Sequence, residues 1–246
     1  MRGKGGWLSL HKYGHCPKEI VMVGVGNNAD VAYEFFTHDS PYEVVAFSVE
    51  KDFLDIYRKF DLPVVPFEEV EKRYSPHKYG MFIAIGYAKL NHLRARFYRQ
   101  AKEKGYSLVS YISSEAFVWR NVEIGDNCFI LENNVIQPFV RIGNDVTLWS
   151  GNHIGHCTII KDHVYIASHA VISGFVEIGE YCFVGVNATF AESVKVQKNC
   201  LIGAGATILR DTKEDKVYGI KSTMPRDFDS LSPAAHDMFY PGGDAL

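Results

Sequence analysis

The chain has 246 residues, of which 47% are hydrophobic and 22% are charged, a balance that suits one large or two small globular domains. A formal net charge of −3 argues against electrostatic capture of nucleic acid or of an anionic membrane. Residues 1–19 contain no apolar run long enough for a signal peptide, and no later segment resembles a membrane span. We therefore expect a cytoplasmic protein whose partners are small molecules and copies of itself.

Residues 20–112 read as strands alternating with helices. Apolar runs rich in β-branched residues predict strands, and amphipathic runs predict helices. The predicted strands cover residues 20–26, 42–49 and 79–86, and the predicted helices cover residues 29–38, 53–60 and 90–105. Such alternation indicates a small parallel sheet with helices on its faces, so we predict an α/β domain over residues 20–112.

The first predicted strand ends in a glycine-rich turn that leads into a helix. The turn, GVGNNA, contains Gly24, Gly26, Asn27 and Asn28. A helix start of this kind offers free backbone N–H groups to an anion or phosphate. The turn lacks the third glycine of a dinucleotide-binding fingerprint, so on its own it is equally compatible with a plain connection.

A second turn favours a ligand site. Gly86 and Tyr87 follow the predicted strand over residues 79–86. In a parallel sheet its carboxyl end would lie beside GVGNNA, and ligands gather at the carboxyl ends of such strands. We therefore predict a nucleotide-binding cleft that is formed by both turns.

Residues 116–211 repeat every six residues without a slip of register. The third place of the sixteen hexads, from Val118 to Ile208, is Val, Ile or Leu in fifteen of them, and the first place is always Ala, Val, Cys, Asn or Thr. Residues two apart face the same side of a strand, so both places point inward. This alternation of a branched aliphatic residue with a small one predicts three flat walls around a narrow axis, which is a triangular parallel β-helix.

Three hexads make one coil of 18 residues, so the repeat spans a little over five coils. An antiparallel sandwich is disfavoured, because hairpins would break the six-residue phase. Three of the five cysteines, Cys128, Cys182 and Cys200, fall at the small inward place, so disulfides are not expected. At the fourth place we expect a corner that needs positive φ, because glycine recurs there. These glycines are Gly125, Gly143, Gly155, Gly179, Gly185 and Gly203.

The order of these parts resembles a known family. An α/β segment with GVGNNA and AIGY precedes hexapeptide repeats with NHIGHC and ASHAVISG, and GAGATI and YGIKSTMP follow. Over about residues 20–225 the chain resembles the bacterial nucleotide-sugar and sialic-acid acyltransferases of the hexapeptide-repeat superfamily. The resemblance implies a left-handed β-helix, a homotrimer and active sites between neighbouring subunits. It also implies that acetyl-CoA lies along the coils and that the N-terminal domain holds the nucleotide sugar.

The resemblance assigns two catalytic roles. His156, two residues after the inward Ile154, matches the family's general base, and Gly174, one 18-residue coil later, matches the backbone N–H donor to the thioester carbonyl. Imidazole titrates near neutrality and can accept the proton that the acceptor loses, and a fixed N–H can stabilise the oxyanion. Direct attack on the thioester needs no covalent intermediate, so Cys157 is not expected to be a nucleophile.

The chain departs from the family's pattern at four places, one of which is the turn GVGNNA, where the relatives have a GxGGHG-like turn. Cys157 stands where relatives have an acidic residue after the base, and Tyr165 stands where some relatives contact the cofactor with a histidine. The resemblance therefore does not identify the group that orients His156. The paired acids that some relatives use near the nucleotide are also replaced, around Ser48 and Val49.

Further candidate contacts follow from position in the coils. Glu132 and Asn133, a little over one coil before His156, and Trp149, seven residues before it, are candidates for sugar binding. His153 and His169 could line a groove between subunits, whereas His163 is expected to be a hydrogen-bonded corner residue. The candidate contacts to the cofactor are Tyr165, Gly174, Gly203, Ala204, Gly205 and Lys221.

We therefore predict a trimeric acyltransferase with an α/β domain over residues 20–112, a left-handed β-helix over residues 113–211 and a C-terminal cap or tail over residues 212–246. The expected reaction is N-acetylation of a nucleotide-linked amino deoxy sugar by acetyl-CoA, without a metal, for surface polysaccharide synthesis. O-acetylation of a sialic-acid-like sugar is an alternative. A metal-dependent hydratase is disfavoured, because the histidines of the repeat lie within 17 residues and such ligands need to be spread along the axis. For a pyrophosphorylase the N-terminal region is too short.

Overall fold

The computed structural model describes residues 17–221, which form an α/β domain followed by a β-helix. The α/β domain has a sheet of strand order β3-β4-β2-β1-β5, in which only the β3–β4 pair is antiparallel. Alternate residues of β1 belong to two separate cores, one formed with α1 and the other with α3, so the two helices pack on opposite faces of the sheet. The bounds are Glu19–Val23 (β1), Asn27–His38 (α1), Glu43–Val49 (β2), Arg58–Lys59 (β3), Leu62–Pro66 (β4), Val70–Arg73 (α2), Gly80–Ile83 (β5) and His92–Glu103 (α3).

The helix predicted over residues 53–60 is not formed. A 3-10 turn, Lys51–Phe53, leads instead into an irregular loop and β3. Leu54 packs against the core beneath α1 and Phe60 stacks on Tyr33, but Phe53 and Tyr57 are 67% and 74% exposed, so the apolar side chains of this segment do not share one buried face. A helix of this length is marginal without such packing.

The β-helix consists of two-residue strands, three per coil. Their bounds are Tyr111–Ile112 (β6), Phe117–Val118 (β7), Glu123–Ile124 (β8), Phe129–Ile130 (β9), Val135–Ile136 (β10), Arg141–Ile142 (β11), Thr147–Leu148 (β12), His153–Ile154 (β13), Ile159–Ile160 (β14), Tyr165–Ile166 (β15), Val171–Ile172 (β16), Glu177–Ile178 (β17), Phe183–Val184 (β18), Thr189–Phe190 (β19), Lys195–Val196 (β20), Leu201–Ile202 (β21), Thr207–Ile208 (β22) and Val217–Tyr218 (β23).

Every third strand pairs in parallel with the next, which gives three walls. The first wall is β7-β10-β13-β16-β19-β22, the second is β8-β11-β14-β17-β20, and the third is β6-β9-β12-β15-β18-β21-β23. In the first wall His153 pairs with both Val135 and Val171, so the register advances by one coil at each step. The predicted triangular prism is confirmed.

The walls run slightly beyond the boundaries predicted from the repeat. Strand β6 pairs with β9 and β23 pairs with β21, so Tyr111 to Tyr218 belong to the prism. After residue 211 the hexad pattern is lost, but Thr212 still reaches inward and accepts a hydrogen bond from the Gln197 amide at 2.8 Å. Residues 222–246 of the C-terminal cap or tail predicted over residues 212–246 lie outside the described residues.

The interior of the prism is a continuous apolar column. The third-place residues from Ile130 to Ile208 are buried, and so are the small first-place residues between them. Burying one aliphatic side chain contributes roughly 1.5–3 kcal/mol, so the stacked coils stabilise one another. Cys128 and Cys182 are free thiols in this column, and burial raises the pKa of each thiol to about 12.

Fourth-place glycines serve a different purpose from the one expected. None of them has the predicted positive φ; the left-handed conformation occurs at the sixth place, mostly in non-glycine residues such as Asn127 and His163. A β-carbon on Gly155 would lie 2.5 Å from the carbonyl carbon of Ser173, and one on Gly185 would lie 2.6 Å from the amide nitrogen of Ala204. Glycine is needed there because the backbone of the next coil passes too close for a side chain.

The α/β domain docks on the third wall through a buried polar cluster. Arg94 of α3 donates to Asp145 Oδ1 at 3.1 Å, to Thr147 Oγ1 at 3.1 Å and to the Val164 carbonyl at 3.3 Å. His163 Nδ1 lies 2.8 Å from Asp145 Oδ2. These side chains are buried, so His163 is a structural residue that bonds to a carboxylate between the domains, as well as to neighbouring backbone.

Candidate functional site

A cleft of about 690 Å³ opens at the carboxyl ends of β1, β2 and β5. The two turns predicted to meet here do so, because β1 lies between β2 and β5 in the sheet. Five of the predicted residues line the cleft, namely Gly24, Gly26, Asn27, Asn28 and Gly86. The sixth, Tyr87, is not among the lining residues, and its ring packs against Tyr165 and Phe183 of the prism.

The glycines of the cleft are each explained by a different physical constraint or role. Gly24 has φ +119°, and a β-carbon there would lie 2.9 Å from the Ala84 carbonyl oxygen. A β-carbon on Gly86 would lie 2.3 Å from Nδ2 of Asn28, so the Asn28 amide lies across the second turn. Gly26 faces open space and is the N-cap of α1, where no side chain caps the helix. The first N–H groups of α1 are therefore left for a ligand, as anion sites at helix starts require.

The ion pair between Glu50 and Arg96, which lies across the cleft, was not predicted from the sequence. Glu50 directly follows β2, and its carboxylate accepts a hydrogen bond from Arg96 Nη2 at 2.9 Å. Phe53 and His92 lie on the rim of the same cleft. Glu50 could have been identified from its place in the sequence, since a carboxylate at the end of the second strand is a common place for ribose recognition. Arg96 could not be found from sequence, because α3 reaches the cleft only through the fold.

Tyr87, Tyr165 and Trp149 pack between the two domains. The Tyr87 ring lies 5.1 Å from the Tyr165 ring and 4.8 Å from the Phe183 ring, and Trp149 lies 6.5 Å from Tyr165. Tyr165 is 5% exposed, and burial raises the pKa of its hydroxyl to about 12. These rings pack the α/β domain against the third wall, with Tyr87 remaining 54% exposed; the roles predicted for the three residues in ligand binding stay predictions.

His156 and Gly174 meet at the corner between the first and second walls. A β-carbon on Gly174 would lie 2.5 Å from Cε1 of His156 and 2.9 Å from each ring nitrogen. The imidazole of one coil thus lies against the bare backbone of the next. The predicted adjacency of these two residues on successive coils is what the structure shows.

The His156 imidazole is exposed and has no hydrogen-bond partner among residues 17–221. Its backbone is held more firmly: the His156 amide donates to Gln137 Oε1 at 2.9 Å, and the Phe175 amide donates to the His156 carbonyl at 2.9 Å. The Phe175 ring contacts the imidazole edge-on, with ring centroids 4.9 Å apart at 81°. Within the described part of the chain, the Gly174 N–H has no acceptor either. An exposed base and a free amide donor therefore share one corner.

The remaining candidates lie at the corner between the third and first walls. Glu132 Oε1 accepts a hydrogen bond from Ser150 Oγ at 2.6 Å, Asn133 is an exposed left-handed residue, and the His169 ring lies against Gly151. At the last coil of the same corner Gly203, Ala204, Gly205 and Lys221 reach the surface. In one protomer they are separated from His156 by the width of the first wall.

The cleft and His156 of one chain lie on opposite sides of the prism. The α/β domain covers the third wall, through Arg94 and Tyr87, whereas His156 lies at the corner formed by the other two walls. In a triangular prism that corner points away from the third wall. A ligand in the cleft of one chain is therefore not presented to His156 of the same chain.

The two free walls differ in charge. The outward residues of the second wall are mostly charged, including Glu123, Arg141 and Lys195, while those of the first wall carry no carboxylate, lysine or arginine. The outward residues of the first wall are Phe117, Val135, His153, Val171, Thr189 and Thr207. A wall without such charges that exposes Phe117 and Val171 at 53% and 44% is typical of an interaction surface.

Within residues 17–221 no three His, Cys, Asp or Glu side chains converge as a metal site would require. The helices of that part of the chain are too short or too polar to span a bilayer.

Comparison with known proteins identifies the repeat and the fold. The family described as bacterial transferase hexapeptide (six repeats) matches residues 121–152, 139–174 and 175–210. A histidine-to-asparagine variant of perosamine N-acetyltransferase from Caulobacter crescentus, in complex with CoA and GDP-perosamine, has a TM-score of 0.74 at 24% identity, over 82% of this chain and 93% of that one.

The acetyltransferase domain of PglB from Neisseria gonorrhoeae, in complex with acetyl coenzyme A, has a TM-score of 0.74 at 21% identity, over 82% of this chain and 96% of that one. These matches confirm the predicted order of an α/β domain and a left-handed parallel β-helix. Residues 121–210 thus match the hexapeptide-repeat family model, and the chain shares the two-domain fold of these two solved structures.

Proposed function

We propose that the protein transfers an acetyl group from acetyl-CoA to the amino group of a nucleotide-linked amino deoxy sugar. The observation that carries the proposal is the contact between the exposed His156 imidazole and the backbone of Gly174. The two similar proteins support it, since one is named a perosamine N-acetyltransferase and the other an acetyltransferase domain. The products are precursors of the kind that surface polysaccharides contain.

In the proposed reaction the amine nitrogen attacks the carbonyl carbon of the thioester. His156 removes a proton from that nitrogen as the bond forms, and the Gly174 N–H donates to the carbonyl oxygen as it gains negative charge. The C–S bond then breaks, and the protonated imidazole returns its proton to the departing thiolate. Base catalysis of this kind contributes typically about 10²–10⁴-fold, and the amide donor a comparable factor.

The cleft of the α/β domain is the proposed site for the nucleotide sugar. The anionic groups of the nucleotide sugar suit the free N–H groups at the start of α1, next to Gly26 and Asn27. The Glu50 carboxylate, held by Arg96, is placed to accept hydrogen bonds from the ribose or the base. The apolar rim around Phe53 offers a surface for the base.

The active site is proposed to form between subunits of a trimer. Because His156 and the cleft of one chain face opposite directions, a catalytic site requires the His156 corner of one chain and the cleft of another. The first wall, which lies next to the His156 corner, supplies a surface for this contact. On the neighbouring subunit the corner with Gly203, Ala204 and Gly205 would then complete the groove for coenzyme A, with Lys221 near its phosphates.

The direct test is release of CoA thiol from acetyl-CoA with a panel of acceptors. The panel contains GDP-perosamine, other nucleotide-linked 4-amino and 3-amino sugars, and hydroxyl sugars of the sialic-acid type. We expect turnover with an amino sugar nucleotide and a loss of about 10²-fold or more in His156→Asn. Turnover restricted to a hydroxyl sugar would favour O-acetylation, and full activity in His156→Asn would refute His156 as the base.

A mixing experiment tests the composite site. Gly26→Leu places a side chain in the cleft without strain, because Gly26 has φ −86° and open space around its α-carbon. Both this variant and His156→Asn should be inactive alone. Trimers reassembled from an equal mixture should recover about a quarter of wild-type activity, the fraction of sites that combine an intact base with an intact cleft. No recovery in mixed trimers would show that each site belongs to one chain.

A further inference from the structure

Among residues 17–221, no carboxylate or carbonyl is hydrogen-bonded to the His156 ring to fix its orientation. Aspartates and glutamates of the prism that do have partners bond elsewhere: Asp145 to Arg94 and His163, and Glu132 to Ser150. The residue after His156 is Cys157, which has no acidic group. The ring is nevertheless confined, so something other than a charged partner must hold it.

Two contacts confine the imidazole. On one side it lies against Gly174, where no side chain fits. The other contact is the edge-on packing of the Phe175 ring at 4.9 Å. The backbones of the two residues are linked by the hydrogen bond from the Phe175 amide to the His156 carbonyl, so the spacing of the rings is fixed by the stacking of the coils.

Packing in the core does not explain why residue 175 is a phenylalanine. Its side chain is 52% exposed, and its backbone is left-handed, with φ 60°, a conformation that bulky residues rarely adopt. Elsewhere the sixth place is often Asn or Asp, which tolerate this conformation. The conformation alone assigns no function, because other sixth-place residues such as Phe139 share it; what sets Phe175 apart is that its described ring contact is with the proposed base.

We infer that Phe175 is the positioning residue of His156: its ring holds the imidazole in the orientation in which a ring nitrogen can take the proton from the acceptor. This inference rests on the proposed function. Phe175 does not itself touch the reacting atoms; it acts through His156. Aromatic pairs in this geometry contribute to orientation as well as to burial, and small misplacements of a catalytic group reduce rates strongly.

The chain offers a matched control in Phe139. It occupies the same corner and the same sixth place two coils earlier, with φ 64° and 64% exposure, but it has no ring contact with His156 among the described residues. Phe139→Ala therefore removes a similar exposed ring from the same surface without touching the base. Any general effect on folding or assembly should appear in both variants.

The first arm of the test is kinetic. In Phe175→Ala we expect kcat to fall by about 10-fold or more while the KM values for both substrates stay within about twofold. Phe175→Tyr, which keeps the ring, should restore kcat, and Phe139→Ala should leave it unchanged. In the His156→Asn background Phe175→Ala should have no further effect, because a residue that acts through the base loses its role with it.

The second arm is independent of catalysis. In a spectrum of the histidine Cε1–H groups, the His156 resonance, assigned by its absence in His156→Asn, should shift on Phe175→Ala through loss of the ring current and stay in place on Phe139→Ala. A resonance that does not move, or equal loss of kcat in both alanine variants, would overturn the inference. If the wild-type protein acetylates no acceptor, the proposed function fails, and the resonance still decides whether Phe175 holds the ring.

Discussion

The imidazole of His156 lies so close to Gly174 that a single methyl group at residue 174 would come within 2.5 Å of Cε1. The obstructing atoms belong to an exposed side chain, which can be displaced at less cost than backbone. We therefore expect Gly174→Ala to fold with a melting temperature within about 2–4 °C of wild type, corresponding to about 1 kcal/mol. Activity should fall by about 10²-fold, because His156 is displaced. Calorimetry together with thiol release measures both, and unchanged activity would contradict the geometry.

Gly155 provides the contrast, because it precedes His156 but faces backbone. A β-carbon there would lie 2.5 Å from the Ser173 carbonyl carbon and 2.6 Å from the Gly174 amide nitrogen. No side-chain rotation relieves this clash, so the two coils must separate. Gly155→Ala should be destabilised by about 3 kcal/mol or more, at the upper end of overpacking costs. A stable and active Gly155→Ala protein would mean that the coils stack less tightly than described.

The buried guanidinium of Arg94 predicts a large effect on stability. Arg94 and Asp145 are 2% and 0% exposed, and removing one partner of such a pair leaves the other charge without compensation. Arg94→Met should lose about 3–5 kcal/mol, measured by denaturant or thermal unfolding. Arg99 lies on the same helix but is exposed, so Arg99→Ala should change stability by less than about 0.5 kcal/mol. Similar losses in both variants would show that the cluster does not fasten the domains.

The sequence alone predicts the prism, because the six-residue pattern that specifies it is local and repeated. An inward aliphatic at every third place, as at Ile154 and Ile172, can be read without knowing what it touches. The contact of His156 with Gly174 followed from the same period. The prediction of positive φ at the fourth-place glycines was wrong. A close approach of the next coil and a positive φ both favour glycine, so the sequence alone does not distinguish them.

What sequence could not supply depends on contacts between distant segments. Arg94 and Asp145 are 51 residues apart, and no periodicity links a helix of the first domain to a corner of the second. Tyr165 occupies an outward place in its hexad, so only the docked α/β domain shows that it is buried. Residues 53–60 have an amphipathic pattern, but amphipathicity predicts a helix only where a core receives the whole apolar face, and here the core receives Leu54 and leaves Phe53 and Tyr57 exposed.

Asp39 predicts a pH-dependent contribution to stability. Burial alone would raise the pKa of this carboxyl, but hydrogen bonds from the Tyr111 hydroxyl at 2.7 Å and the Ser114 amide at 2.9 Å outweigh it and leave the pKa below its ordinary value of 3.8. The ionised carboxylate is thus stabilised in the folded state. Its contribution is complete above 3.8 and is lost as the pH falls through the lowered folded pKa.

Asp39→Asn should therefore cost about 1 kcal/mol at neutral pH, and the difference from wild type should shrink as the pH falls below 3.8. Melting temperatures over a pH series measure this difference. Asp52 is an exposed aspartate of the same domain, and Asp52→Asn should show little difference at any pH. A cost in Asp39→Asn that stays constant down to acid pH would refute the role of the ionised group.

Cys157 adjoins the proposed base and decides between two chemical routes. It is a half-buried free thiol, whereas Cys128, Cys182 and Cys200 are buried, so native protein treated with iodoacetamide should be modified at Cys157 and spared at the other three. Peptide mass spectrometry reads each position separately.

Acetyl-CoA should slow the modification of Cys157 if the thioester occupies this corner. Cys157→Ser should keep kcat within about threefold, because direct attack by the amine needs no thiol. An acetylated Cys157 peptide trapped during turnover, together with an inactive Cys157→Ser variant, would replace direct transfer with a route through the thiol, and His156 would then serve to activate the cysteine.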